Sequence, residues 1–330
     1  SQSAFPILTL LSIFIFKGED LLWALIIANA ITMILSFLLF VIKSPIKIRL
    51  SFNAILAKMI QRKGWHLFLY NTFFYLIIIS TRSFVSAYYN ISEFGYFTFA
   101  FTLANAITLL LESFSYLIYP KMLNRFALSS NEVAYSLFGQ VRDTYMTTSH
   151  TLAHFAILIF PIFLLLFPQY KSASNAFNLI VLTIVLYTNA FGYSALMIAR
   201  NEEKKLGLIA FMALCLNIMT ALLLVEIFYV SYIYVIISTM LAYMVYIFTL
   251  GFFARKKMFL KIDFVSVSKD VFPVRLFLPF IVSFILVVIL AKAPYYLIPL
   301  ALFIILNFKT YINIVDVAKK VINNPESISI

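Results

Sequence analysis

The sequence predicts an all-α integral membrane protein of about ten transmembrane helices. Three observations lead there. Hydrophobic residues make up 63% of the chain, charged residues only 12%, and the mean hydropathy is +1.00. A soluble domain is about half apolar and about a quarter charged, and its surface-to-volume ratio leaves too many positions wet for a composition like this one. The apolar residues also gather into runs close to the roughly 20 residues that a helix needs to cross a hydrocarbon core of about 30 Å. Finally, Lys and Arg concentrate in every second connection between those runs. Only 7 Gly and 10 Pro are present, and the alternating strands of a membrane barrel are not visible. In lipid each span must satisfy its own backbone hydrogen bonds, so helix is the expected state.

The runs cover residues 4–16, 21–42, 67–89, 96–119, 144–167, 177–199, 206–228, 233–253, 272–291 and 295–314. Nine are near spanning length. The first is short, lies close to the start of a chain without an initiator Met, and lacks the basic flank of a signal peptide. The expectation is that the chain begins inside a transmembrane helix and that an N-terminal part of the parent protein is missing.

The connections set the orientation. Residues 43–63 hold six basic side chains (Lys43, Lys47, Arg49, Lys58, Arg62, Lys63), and 254–275 hold six more (Arg255, Lys256, Lys257, Lys261, Lys269, Arg275). Lys121, Arg125 and Arg142 fall in 120–143, Arg200, Lys204 and Lys205 in 200–205, and Lys309, Lys319 and Lys320 toward the C-terminus. The alternate connections carry only Lys17, Lys171 and Lys292, while Arg82 lies within a span. Basic connections stay in the cytoplasm, so a multi-pass membrane protein with its C-terminus inside is expected. The net charge of +12 is then an orientation signal, helped by anionic lipid, and not a nucleic-acid footprint. Within the first basic connection, Phe52, Ile55, Leu56, Met59 and Ile60 share one helical face, with Lys58, Gln61 and Arg62 turned away. Residues 51–66 therefore read as an interfacial amphipathic helix linking two groups of spans.

Little in the chain speaks of chemistry. Cys215 is a single cysteine, which excludes an intramolecular disulfide. There is no glycine-rich phosphate loop, no HExxH and no Ser/His/Asp arrangement. The outward connections at 90–95 and 229–232 are tight. No catalytic residue, cofactor or metal site is expected.

The candidates are polar groups inside spans, which are costly in lipid and mark function by default. At 1.5 Å per residue, Arg82 lies roughly 6 Å to the outer side of mid-membrane and Glu112 roughly 7 Å to the inner side. That spacing is too large for a direct ion pair, and Glu112 must be protonated, wet or paired elsewhere. Arg82 either snorkels outward or faces a wet, anion-attracting cavity. His150 and His154 lie four residues apart on one face, with His150 near the depth of Glu112. Glu112 with His150 forms a candidate protonation site, and a polar helix–helix contact is the plain alternative. Two His alone leave a metal's coordination unfilled. Asn105, Asn189, Tyr193 and Asn217 complete the set, either as interhelical hydrogen-bonding groups or as substrate ligands. Pro161, Pro273 and Pro279 mark possible kinks or breaks.

The stretch TRSFVSAYYNISEFGYFTFAFTLANAITLLLESFSYLIYPKML resembles a signature of bacterial polysaccharide flippases of the Wzx type, within the superfamily of multidrug exporters and the lipid II flippase. The matching positions are Arg82, then Glu93, Gly95 and Tyr96, then Pro120 and Lys121. SALMIARNEEKKLGLIAFMALCLNI is similar to a later segment of that family. Many members carry an acidic residue just before the Arg, where this chain has Thr81, which leaves Arg82 freer to meet an anion.

The resemblance implies a two-lobe exporter fold of about fourteen helices, of which this chain would hold the fifth to the fourteenth. Residues 1–50 would then close an incomplete first lobe and 51–66 would link the lobes. Residues 67–253 would form a second six-helix lobe, and 254–330 two C-terminal helices and a cytoplasmic tail. It also implies that a polyprenyl-pyrophosphate-linked oligosaccharide is turned over by rocking of the lobes, with membrane lipids and polysaccharide polymerase and chain-length machinery as partners. Arg82, Asn105, Asn189 and Tyr193 are the expected substrate contacts, and Glu112, His150 and His154 the expected coupling groups. Two other classes compete. A drug or ion antiporter of the same superfamily should carry more intramembrane acids, and a glycan polymerase or acyltransferase should carry a larger outward loop.

Overall fold

The computed structural model describes residues 19–43, 53–128, 131–258, 262–290 and 293–323. The expected span at 4–16, the stretch 44–52 and the tail after residue 323 lie outside the described residues. Those described form helices and no strand. Seven stretches are long and apolar enough to cross a membrane, and two shorter apolar helices, Val274–Leu286 and Leu297–Ile312, occupy the last two expected runs.

The chain divides into two compact units, Ser1–Ile60 and Gln61–Ile330. In the first, α1 (Glu19–Lys43) exposes Trp23, Met33, Phe40 and Ile42 by 65% or more. A helix with so much apolar surface uncovered has lipid for its solvent. The next helix, α2 (Ala54–Tyr88), starts where the Asn53 side chain accepts from the backbone N–H groups of Ile55 and Leu56, an N-cap that satisfies two otherwise orphaned donors. It runs from the amphipathic stretch into the span without a break.

Among the described residues the second unit contains the rest of α2 and nine further α-helices. Helix α3 (Ile91–Leu128) opens on a capping box. Glu93 N–H donates to Asn90 Oδ1 (2.9 Å) and Asn90 N–H donates to Glu93 Oε2 (3.3 Å). Glu93 and Asn90 thus turn the chain tightly between α2 and α3. Helix α4 (Asn131–Leu166) follows and passes through Pro161 without breaking. Helix α5 (Ser174–Tyr187) is the hub, since every residue from Ala176 to Leu186 is buried, and it packs against α3, α4 and α8. Its sequence is apolar all round, as a helix surrounded by other helices requires. Helix α6 (Tyr193–Ala199) continues the same span. The second half is α7 (Glu203–Leu222), α8 (Ile237–Lys257), the short α9 (Phe264–Val271), α10 (Val274–Ser283) and α11 (Leu297–Asn323).

The break falls where no proline marks it. Between α5 and α6 the chain passes through a 3-10 turn at Thr188–Ala190, an extended Phe191, and Gly192 at φ 85°. That left-handed conformation costs other residues about 1–2 kcal/mol and glycine almost nothing. Pro273 caps α10, and Pro279 sits inside it.

A knot of polar side chains joins α2, α7 and α8. The Asn217 amide donates to Ile77 O (2.7 Å) and Ser80 Oγ (2.8 Å), and Thr81 and Thr239 share a 2.6 Å hydroxyl contact. Asn217, Thr81 and Thr239 are fully buried. Thr81, which stands where the resembling family often has an acid, is thus an interhelical tie beside Arg82. Asn217→Leu should lower stability by about 1–2 kcal/mol, because several hydroxyls lose a buried partner at once; thermal unfolding of the purified protein in detergent measures it.

The turn 200–202, between α6 and α7, is stapled by charge. Lys63 Nζ donates to Asn201 Oδ1 at 2.7 Å, and Glu202 pairs with Lys205 (2.8 Å) and with Lys257. The hydrogen bonds from Lys205 and Lys257 hold the Glu202 carboxyl below its ordinary pKa. A depressed carboxylate contributes its stability above the unfolded-state value and loses it as pH falls through the folded value. Protection of the amides in 200–205, corrected for the intrinsic exchange rate at each pH, should therefore fall as pH drops below about 4, the ordinary glutamate range, while the buried α5 stays protected.

Candidate functional site

Two clusters of intramembrane polar groups emerge, with opposite character. The first lines a cleft of about 650 Å³ within the second unit, a size typical of small-ligand sites. Helix α2 brings Tyr75, Ile79, Arg82, Ser83 and Ser86, and α3 brings Phe94, Phe101, Asn105, Thr108 and Glu112. On α3 these are spaced seven, four, three and four residues apart, which sets them along a single helical face. Tyr187 of α5 and Tyr243 of α8 close the wall with Phe74. Phe74 stacks on Tyr243 at 5.6 Å and lies 5.7 Å from Tyr187.

Arg82 sits over the rings of Phe94 and Phe101, at 5.7 and 6.0 Å from their centroids. Such contacts orient the guanidinium without neutralising it. Neither Arg82 nor Glu112 makes an ion pair among the described residues. Glu112 lies within electrostatic reach of the Tyr145 and Tyr187 phenols. The cleft therefore offers one cation, one carboxyl, amide and hydroxyl groups, and several aromatic faces. Aromatic faces and hydrogen-bonding side chains suit a polyhydroxylated ligand, and an unneutralised guanidinium suits an anion.

The second cluster gathers Asn189, Tyr193 and His150, but around a residue that the sequence reading had counted as a loop charge. Arg142, near the start of the α4 span, is only 6% exposed. Its Nε and Nη2 donate to Asn189 O (3.3 and 2.9 Å), its Nη1 donates to Asp270 O (2.8 Å), and its guanidinium lies 4.5 Å from the Tyr193 ring centroid. The Asn189 amide donates to Val271 O at 3.0 Å, and Asn189 Oδ1 lies 3.1 Å from His150 Nε2. Asn189 O belongs to the helix break, and Asp270 O and Val271 O to the end of α9. These are the carbonyls that a broken or ending helix leaves without partners. Gly251 lets α8 approach, since a Cβ there would sit 2.5 Å from Val271 Cγ2.

The expected Glu112–His150 pairing is absent from this arrangement. Glu112 faces the cleft, whereas His150 is buried against Asn189, with its ring 6.1 Å from that of Phe303. His154 is 5.1 Å from the same ring and pairs with Ser283 Oγ at 3.1 Å. Each histidine keeps one buried ring nitrogen without a hydrogen-bond partner among the described residues, Nδ1 of His150 and Nε2 of His154.

The architecture is that of a polytopic helical membrane protein with a mixed polar and aromatic cleft among its spans. Residues 5–168 match the family of polysaccharide biosynthesis proteins. No match was found among curated proteins or among solved structures.

The two clusters should respond differently to substitution. Arg142→Met strips partners from the carbonyls of Asn189 and Asp270 and should destabilise the protein by about 2–4 kcal/mol. Arg82→Ala loses only cation–π contacts, worth about 1 kcal/mol. Unfolding midpoints of the two variants in the same detergent make the comparison.

Proposed function

We propose that this protein carries a lipid-linked oligosaccharide across the bacterial cytoplasmic membrane, with its C-terminus inside, as a step in making a surface polysaccharide. The observation that carries this reading is the convergence of Arg82, Asn105 and Glu112 with aromatic side chains on one intramembrane cleft. A polyprenyl-pyrophosphate-linked glycan presents two chemistries to such a site. Its pyrophosphate needs a cation that no carboxylate has already neutralised, which fits Arg82. Its sugars need apolar faces with hydrogen-bonding groups between them, which fit Tyr75, Phe101, Asn105, Ser86 and Thr108. The match of residues 5–168 to polysaccharide biosynthesis proteins supports the same direction.

In this reading Arg82 and Asn105 contact the headgroup directly. Asn189 and Tyr193 act through the Arg142 cluster as positioning groups. Glu112 is the coupling group nearest the substrate. His150 and His154, each with an unpartnered ring nitrogen, form a second protonatable pair between α4, α10 and α11. The protein acts as a transporter and not as an enzyme, and polysaccharide polymerase and chain-length machinery receive its product.

The test is complementation in a host lacking the full-length gene, reading surface polysaccharide together with lipid-linked repeat units on the cytoplasmic side. Wild type should restore the surface glycan. Arg82→Ala should fail while reaching the membrane in normal amount, with lipid-linked units accumulating inside. Unchanged surface glycan in the deletion strain, with raised drug sensitivity, would replace this reading with a drug antiporter.

A further inference from the structure

A second recess lies away from the cleft, where three spans end. The stretches Pro168–Ala199, Glu203–Ile227 and Tyr232–Lys257 meet at their basic ends. Met197, Lys205, Phe253, Lys256 and Lys257 line a recess of about 280 Å³ there. Three of these are lysines, and the neighbouring Glu202 pairs with two of them. Glu202 spends one oxygen on Lys205 and the other on Lys257, while Lys256 has no partner among the described residues. Met197 is fully buried and Phe253 partly so, which gives the recess an apolar wall beneath its charged rim.

We propose that this recess binds a phosphate group, that of an anionic phospholipid headgroup. Glu202 demonstrates the geometry, because its carboxylate bridges Lys205 and Lys257 as an oxyanion would. Each ammonium has three donors, so both lysines keep donors after meeting Glu202. A phosphate, with more oxygens than a carboxylate, can meet those donors and reach Lys256 as well. Lysine is a flexible point charge suited to phosphate and indifferent to its exact orientation. The lipid is favoured over a soluble anion by depth. Span ends lie at the level of lipid headgroups, and basic pockets between spans on this kind of surface accept them. Met197 and Phe253 would adjoin the glycerol and the first acyl carbons. The site is separate from the cleft and does not depend on what the cleft carries.

The test titrates the full chain, purified in a nonionic detergent, with short-chain phosphatidylglycerol, short-chain phosphatidylcholine and inorganic phosphate, read by calorimetry. Phosphatidylglycerol should bind, phosphatidylcholine should bind more weakly because its choline offsets the phosphate charge, and millimolar phosphate should compete. Lys256→Gln should weaken phosphatidylglycerol by about fivefold, the worth of one basic residue at an anionic surface, and adding Lys257→Gln should weaken it further. Glu202→Gln should tighten it, because the internal competitor is gone. Lys269→Gln, on a different helix, should change nothing. Phosphate binding with this lysine dependence but no phosphatidylglycerol binding overturns the lipid assignment. Equal phosphatidylglycerol affinity in wild type, Lys256→Gln/Lys257→Gln and Glu202→Gln overturns the site.

Discussion

In a hydrocarbon medium no water is at hand to pair with a backbone carbonyl that a helix has released, and the fold of the second unit is arranged around that constraint. The span carrying α5 and α6 is interrupted at 188–192, and the interruption frees Asn189 O. Arg142 answers it, and the same guanidinium reaches Asp270 O at the end of α9. The Asn189 side chain then caps Val271 O. One buried cation and one amide thus tie together the helix break, the start of the span in α4 and the end of α9. Beyond them, Arg255 pairs with Asp270 and Arg275 with Asp143, while Arg275 also donates to Asn307 and Thr310 of α11. The short helices α9 and α10 are thereby fastened to α4, α8 and α11 by hydrogen bonds and ion pairs.

The contrast with the cleft is the basis for assigning roles. Polar groups inside a membrane are expensive, and the two ways of meeting that expense separate structure from function. Around Arg142 and around Asn217, the guanidinium and the amides meet backbone carbonyls and hydroxyls, and these side chains are buried. Along the cleft, Arg82 and Glu112 remain unneutralised among the described residues, which is tolerable only beside water or a ligand. Asn217 and Asn105 are the same residue type at similar helical positions. One closes a knot and the other lines a cavity, so residue type alone does not assign a role.

Much of this was legible in the chain itself. The nine apolar runs that fall among the described residues each correspond to a helical stretch, with 177–199 divided into α5 and α6, because hydropathy and length act locally and along one dimension. The α3 face that lines the cleft is also written in the sequence, at Phe94, Phe101, Asn105, Thr108 and Glu112, although aromatic and polar residues had to be read together to see it. The capping box of Asn90 and Glu93 carries a recognisable local spacing. Of the prolines that mark possible kinks or breaks, Pro161 and Pro279 lie inside helices and Pro273 separates α9 from α10, while the break inside the span of α5 and α6 falls at Phe191 and Gly192.

What the sequence by itself determined is therefore the all-helical membrane class, the succession of spans, and the candidacy of Arg82, Asn105 and Glu112, all of which follow from hydrophobicity and helical periodicity. What only the tertiary structure decided is which polar groups meet. Arg142 looked like one more basic residue flanking a span, and nothing in its neighbourhood announced that a carbonyl 47 residues away would need it. His150 sat at the depth of Glu112 yet turned to Asn189. Depth is a one-dimensional quantity that a sequence can supply. Azimuth around each helix and the packing of one helix on another are fixed by contacts among residues distant in the chain, and those choose the partners.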